Sequence, residues 1–121
     1  MSDMMNKRFG KVINNLKEEG VLGIALVDKK GNIIESDLPS DVHDETFGMM
    51  SATIIGASCR VSPKLSKGDL KRSIVHSKEG NIILNNTEEN MILSVLVDES
   101  RDIDDFIEKI DAALKEIREH F

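Results

Sequence analysis

Few residues in this 121-residue chain have the type and spacing for bond chemistry. Cys59 with His76 or His43 offers a nucleophile and a base, the pairing that activates a thiol. Yet Cys59 stands in a run of small apolar residues, where a cysteine serves as inert packing. His43 lies among Asp41, Asp44 and Glu45, a composition that a metal ion can use. The same acids fit the entry to a helix, whose dipole favours negative charge there. Lys67-Gly68-Asp69 lacks the Gly-x-x-x-x-Gly-Lys-Ser/Thr spacing of a phosphate loop. His120, next to the last residue, carries no role. The expectation is therefore a non-enzymatic chain with no catalytic residue, no cofactor and no metal.

Composition narrows the classes further. The net charge is −6 and no Lys/Arg cluster stands out, so a phosphate backbone would be repelled. With no Trp or Tyr, the stacking platform of RNA-binding sheets is missing as well. The longest uncharged run, Thr46 to Cys59, has 14 residues, short of the ~20 that a membrane span needs. Residues 1–20 are charged throughout and hold no signal-peptide hydrophobic region. A single cysteine permits no internal disulfide and fits a reducing cytoplasm. The length suits one domain over residues 1–121, with a core built from Ile, Leu, Val and Met.

The elements follow from hydrophobic period and turn chemistry. Ser2 to Glu19 reads as a helix with Met5, Phe9, Val12, Ile13 and Leu16 on one face and Gly20 as its stop. Val21 to Asp28 and Met91 to Asp98 are continuous apolar runs, as expected of strands covered on both faces. Ile33 to Ser36, Arg72 to Ser77 and Asn81 to Asn85 read as further strands, with the polar Arg72–Ser77 run nearer an edge. Two segments echo each other, Ala25 to Ile34 and Ile74 to Ile83. Each is an apolar run, a polar hinge, Gly-Asn and Ile-Ile. Both read as hairpins in which Asp28 or Ser77 bonds the turn and Gly31 or Gly80 takes positive φ. A middle helix starts near Asp41 or Asp44, either of which can cap it, and runs to about Arg60 because Pro63 disfavours helix at Ser62. Thr87 to Asn90 is a turn. Asp102 to Phe121 closes the chain as a helix with Ile103, Phe106, Ile107, Ile110, Leu114 and Ile117 buried and an acidic outer face. The order is α-β-β-α-β-β-β-α. It implies a five-stranded antiparallel sheet in a three-layer α+β sandwich, the middle helix on one face and the terminal helices on the other.

The middle helix is the unusual element. At 100° per residue, Phe47, Met50, Ile54, Ala57 and Val61 form a sector that can cover the sheet. A second sector holds Gly48, Ala52, Ile55, Gly56 and Cys59, all small or apolar. Thr46, Met49, Thr53 and Arg60 form the free strip. An uncharged second face on so small a domain is expected to meet another copy of the chain, backbone close to backbone. The polar strand, through Ser73, Val75 and Ser77, can pair with its own copy and extend the sheet.

In element order, in Leu26-Val27-Asp28-x-x-Gly31, in the helix Met49 to Ser58, in Lys78-Glu79-Gly80-Asn81-Ile82-Ile83 and in the apolar strand Ile92 to Val97, the chain resembles the roadblock (roadblock/dynein light chain) family. The resemblance spans nearly the whole chain and implies a roadblock/profilin-like fold. It also implies dimers formed through the middle helix and third strand, as homodimers or with a related chain, that bind and regulate or scaffold a small Ras-like GTPase. Across the paired helices that partner would meet Thr46, Met49, Thr53 and Arg60. Arg60, the one arginine of the helix, is the candidate for reaching into a GTPase site. The competing class is a profilin-like or PAS-like sensor of small molecules, which needs a cavity with convergent polar groups.

Overall fold

The computed structural model describes residues 3–65, 68–87, 90–100 and 102–119. Three helices and five strands follow one another as α1 (Asp3–Glu18), β1 (Val21–Asp28), β2 (Ile33–Asp37), α2 (Asp44–Lys64), β3 (Arg72–Ser77), β4 (Gly80–Asn86), β5 (Met91–Asp98) and α3 (Ile103–Glu119). Every strand pairing is antiparallel, in the order β2-β1-β5-β4-β3. The two apolar strands β1 and β5 lie side by side at the centre, and the polar β3 lies at an edge. That is where their side chains belong, because only interior strands are dry on both faces.

The core is divided by the sheet. On one face Val12, Ile13 and Leu16 of α1 and Phe106, Ile110 and Ala113 of α3 pack over Ile24, Leu26, Ile83, Leu93, Val95 and Val97. On the other, Phe47 and Ile55 of α2 cover Ala25, Val27, Leu84 and Ile92. This is the expected three-layer arrangement. Met5, Phe9 and Ile117 of the expected helical stripes lie outside the described side chains, and Lys67, His120 and part of the 87–90 turn lie outside the described residues. α1 ends at Gly20, whose φ of 100° lets its N–H reach the carbonyl of Lys17 at 3.1 Å.

The two hairpins differ in construction. In the first, Asp28 Oδ1 accepts from the backbone N–H of Lys30 and of Asn32, each at 2.9 Å, and Oδ2 accepts from Asn32 Nδ2 at 3.0 Å. Gly31 has φ 96°, as its turn position expects. The Asn32 side chain and backbone N–H hold the Asp28 carboxyl below its usual range against a smaller opposing effect of burial. In the second hairpin, by contrast, Gly80 is not a positive-φ residue. It is the first residue of β4, paired with Ser77 and with Asp98, and Lys78-Glu79 alone form the turn. Gly80 is small for another reason: a Cβ there would come within 3.0 Å of the Val97 carbonyl oxygen.

α2 also departs from expectation at both ends. His43 occupies the N-cap with no side-chain cap bond, while Asp44 and Glu45 fill the first turn. Asp44 instead accepts from Ser36 Oγ at 3.0 Å, tying the helix start to β2. At the other end the helix passes through Pro63 and stops at Lys64, with the Leu65 N–H bonding the carbonyls of Val61 and Ser62. Pro63 belongs to the last turn, where it forfeits one ladder bond and leaves no long helix beyond it to disrupt.

Candidate functional site: the outer face of α2 and the edge of β3

The rotational setting of α2 decides what this chain presents to solvent, and polar contacts fix it. Ser51 and Ser94 are both fully buried, and Ser94 Oγ donates to Ser51 Oγ at 2.8 Å between helix and central strand. Two turns later Ser58 meets Ser73 of β3 through their hydroxyls at 2.9 Å. At the helix start, Gly48 lies directly on the β1–β2 turn. A Cβ on Gly48 would be 2.3 Å from the Gly31 carbonyl oxygen, and one on Gly31 would be 2.8 Å from Met49 Sδ. The two glycines let a turn and a helix touch through backbone alone.

These contacts rotate the helix away from the setting expected from its apolar pattern. Ile55, expected on the second face, is 1% exposed and fills the core under α2. Gly48, expected there too, is buried against Gly31 and is used up within the chain. Conversely Ala57 and Val61, expected against the sheet, are exposed, Val61 to 53%. The reason is that serine hydroxyls and a glycine contact, which the apolar pattern ignores, occupy the inward positions. Ala52 and Cys59 are half-buried at the margin of the core. Gly56 is exposed, with nothing within 4 Å of the place a Cβ would take.

The outward strip therefore holds Thr46, Met49, Thr53, Gly56, Ala57, Arg60 and Val61. Met49 is 58% exposed. Thr53 turns its hydroxyl back to the Met49 carbonyl at 2.8 Å, which removes its polarity from the surface. Arg60 is the one charge in the strip. Beside it runs β3. Val75 packs toward α2, Ser73 bonds Ser58, and Ser77 is exposed at the hairpin. Arg72 points to the opposite face and pairs with Asp111 of α3. Ile74, on that same face by strand alternation, is 43% exposed. Nothing in the sequence singles out Ile74, because its neighbours alternate as in any edge strand.

The structure does not bring Cys59 and His76 together. His76 shares the Arg72 face of β3 and meets Asn81 Oδ1 through Nδ1. Cys59 lies on α2, so the sheet separates thiol from imidazole. Among the described residues no group of three or more His, Cys, Asp or Glu could hold a metal ion. No described helix is long and apolar enough to cross a membrane. A cleft of about 640 Å³ opens at the sheet end between Cys59, Pro63 and Leu70 on one side and Asp111 and Leu114 on the other. Part of its polar lining is engaged within the chain: Asn86 Nδ2 donates to the Leu70 carbonyl, Thr87 Oγ1 to that of Met91, and Asp111 pairs with Lys71 and Arg72, while Asp69 also lines it.

Comparisons with known proteins agree with this architecture. The Roadblock/LC7 domain matches residues 9–97. The uncharacterized protein MJ0310 of Methanocaldococcus jannaschii is 33% identical over 82 residues, covering 68% of this chain and 71% of its own. Myxococcus xanthus MglB superposes with a TM-score of 0.88 at 14% identity, over 97% of this chain and 89% of that one. A solved MglB with a tetrameric arrangement superposes at 0.87 and 14% identity, over 100% and 96%. At these identities the two MglB structures establish the fold.

Proposed function

Because this chain belongs to the Roadblock/LC7 domain family, we propose that it is a non-enzymatic, dimeric interaction module that binds a small Ras-like GTPase and regulates or scaffolds it in the cytoplasm. The observation that carries the reading is the outer strip of α2. A glycine exposed in mid-helix costs about 1 kcal/mol relative to alanine, and among the described residues nothing lies within 4 Å of the place a Cβ on Gly56 would take. A second backbone approaching there supplies the use. Ala52, Gly56 and Cys59 of α2, with the Ser73–Ser77 side of β3, form the surface for the second copy. Thr46 and Thr53, on the open side of the strip, meet the GTPase, with Met49 and Arg60 bordering both surfaces. The tetrameric MglB makes self-association a natural property for this fold.

Regulation in such a module needs no chemistry of its own. A surface that prefers one nucleotide state of its partner shifts that partner's equilibrium by the difference in affinity. The test has two parts. Light scattering should give a dimer for the native chain and a folded monomer for Ala52→Glu, which places a charge on the face. Calorimetric titration of the native chain with Ras-like GTPases of its source cell should then show affinity that differs between the GDP form and a non-hydrolysable GTP form. A folded Ala52→Glu dimer overturns the interface, and equal affinity for both forms overturns the regulatory role and leaves a scaffold.

The cleft near Cys59 favours the sensor class as a second reading. Thermal shift against a metabolite panel separates the two: stabilisation by a small ligand, with no binding of any GTPase, would select the sensor.

A further inference from the structure

The last turns of α2 carry two rows side by side. Arg60 and Lys64 stand one turn apart, and Val61 and Leu65 run beside them at the same spacing. Val61 is 53% exposed and Leu65, at the cap, 63%. Neither cation has a carboxylate partner among the described residues. Like charges at this spacing repel each other within their own helix. The first turns of α3 carry the counterpart. Asp104 and Glu108 are exposed, one turn apart, and without a cation partner among the described residues. Ile103 and Ile107 run beside them, and Ile107 is half-exposed and packs in neither core cluster. The helix dipoles favour Lys64 and Asp104, which lie in end turns. They give no reason for the apolar row that accompanies each charged pair.

From this we propose that the last turns of α2 dock on the first turns of α3 of a second copy. The two helices lie parallel, with Arg60 against the copy's Asp104 and Lys64 against its Glu108. Each charged pair rises about 6 Å along its helix, so the spacings match. The hand matches too. In α2 each apolar residue follows its cation by one position, and in α3 each precedes its carboxylate by one. Seen from outside, the apolar row therefore lies to opposite sides of the charged row in the two helices. Two surfaces turned face to face with their helices parallel require that arrangement, and Val61 and Leu65 then close over the copy's Ile103 and Ile107. α2 and α3 cover opposite faces of the sheet, so the contact forms only between copies. It joins two different surfaces, so copies linked by it form a ring or an open chain. It uses neither β3 nor the Gly56 side of α2, and so stands apart from the dimeric reading above.

The test is sedimentation velocity at about 0.05 M and about 0.5 M NaCl, because salt screens exposed charges. The native chain should associate at the lower salt, and the higher salt should remove that association. Arg60→Glu with Lys64→Glu, and separately Asp104→Lys with Glu108→Lys, should each weaken it about tenfold or more. Mixing the two reversed chains should restore it, since each supplies the charge that the other has lost. Circular dichroism accompanies each variant. Where a reversed chain does not fold, the neutral pairs Arg60→Gln with Lys64→Gln and Asp104→Asn with Glu108→Gln take its place and should weaken the association in the same direction. An assembly that is the same at both salts overturns the contact, while the α2 dimer can stand without it. Folded variants that associate as the native chain does also overturn it, as does a mixture of the two reversed chains that stays apart.

Discussion

Two glycines of α2, eight residues apart in one helix, should respond to the same substitution with opposite sign. Gly48→Ala places a Cβ 2.3 Å from the Gly31 carbonyl oxygen. Restoring even 3.0 Å, the lower limit of real Cβ contacts, requires a retreat of 0.7 Å by a turn that has no flexible side chain to give way. Gly31 cannot yield cheaply, since its φ of 96° is set by the Asp28 turn. Alanine gains about 1 kcal/mol of helix propensity, while forcing atoms into a packed contact costs ~1–3 kcal/mol, at the upper end or beyond when both sides are backbone. A net loss of about 2 kcal/mol follows. Gly56→Ala meets nothing within 4 Å, so the chain keeps the propensity gain of roughly 0.5–1 kcal/mol. For a domain of this size the two variants should melt roughly 10 °C apart. Urea denaturation at two protein concentrations tenfold apart separates the fold's own stability from any contribution of association. A Gly48→Ala chain as stable as the native one would refute the backbone contact, and with it the rotational setting of α2.

The buried hydroxyl pair makes a second test. Ser94→Ala leaves Ser51 without its partner and should cost about 1–3 kcal/mol, and the double replacement with Ser51→Ala should cost less than the sum; denaturant midpoints of the four chains decide it. The Asp28 turn gives an acid limb. Its carboxyl is held below its ordinary value of 3.8, chiefly by the Asn32 side chain, so its contribution is fully present above that value and is lost as pH falls through the lower, folded value. Asp28→Asn should be less stable by about 1 kcal/mol at pH 7 and less sensitive to acid, as followed by circular dichroism between pH 6 and about 2. A variant with an unchanged acid transition would remove Asp28 from its cause. Val61→Ser, on a residue 53% exposed, should leave the melting temperature at low protein concentration within about 2 °C of native, as expected for a surface change; a large loss would put Val61 back against the sheet.

By itself the sequence determined the order of elements and the layering. Runs such as Val21–Asp28 and Met91–Asp98 are apolar on both pleat faces and can only be central, so helices must cover both sides. The stops at Gly20 and the Asp28–Gly31 turn were legible because a positive φ or a carboxylate acceptor at a given spacing is a local requirement. The local rule failed at Gly80, where the glycine answers to Val97, a residue on another strand. It failed more widely in α2. That helix is small and uncharged almost all round, so no polar stripe fixes which side faces inward. The choice falls to contacts between distant segments: Ser51 with Ser94, Ser58 with Ser73, and Gly48 with Gly31. Only the tertiary structure brings those partners together. It thereby sends Ile55 into the core and leaves Gly56 and Val61 exposed.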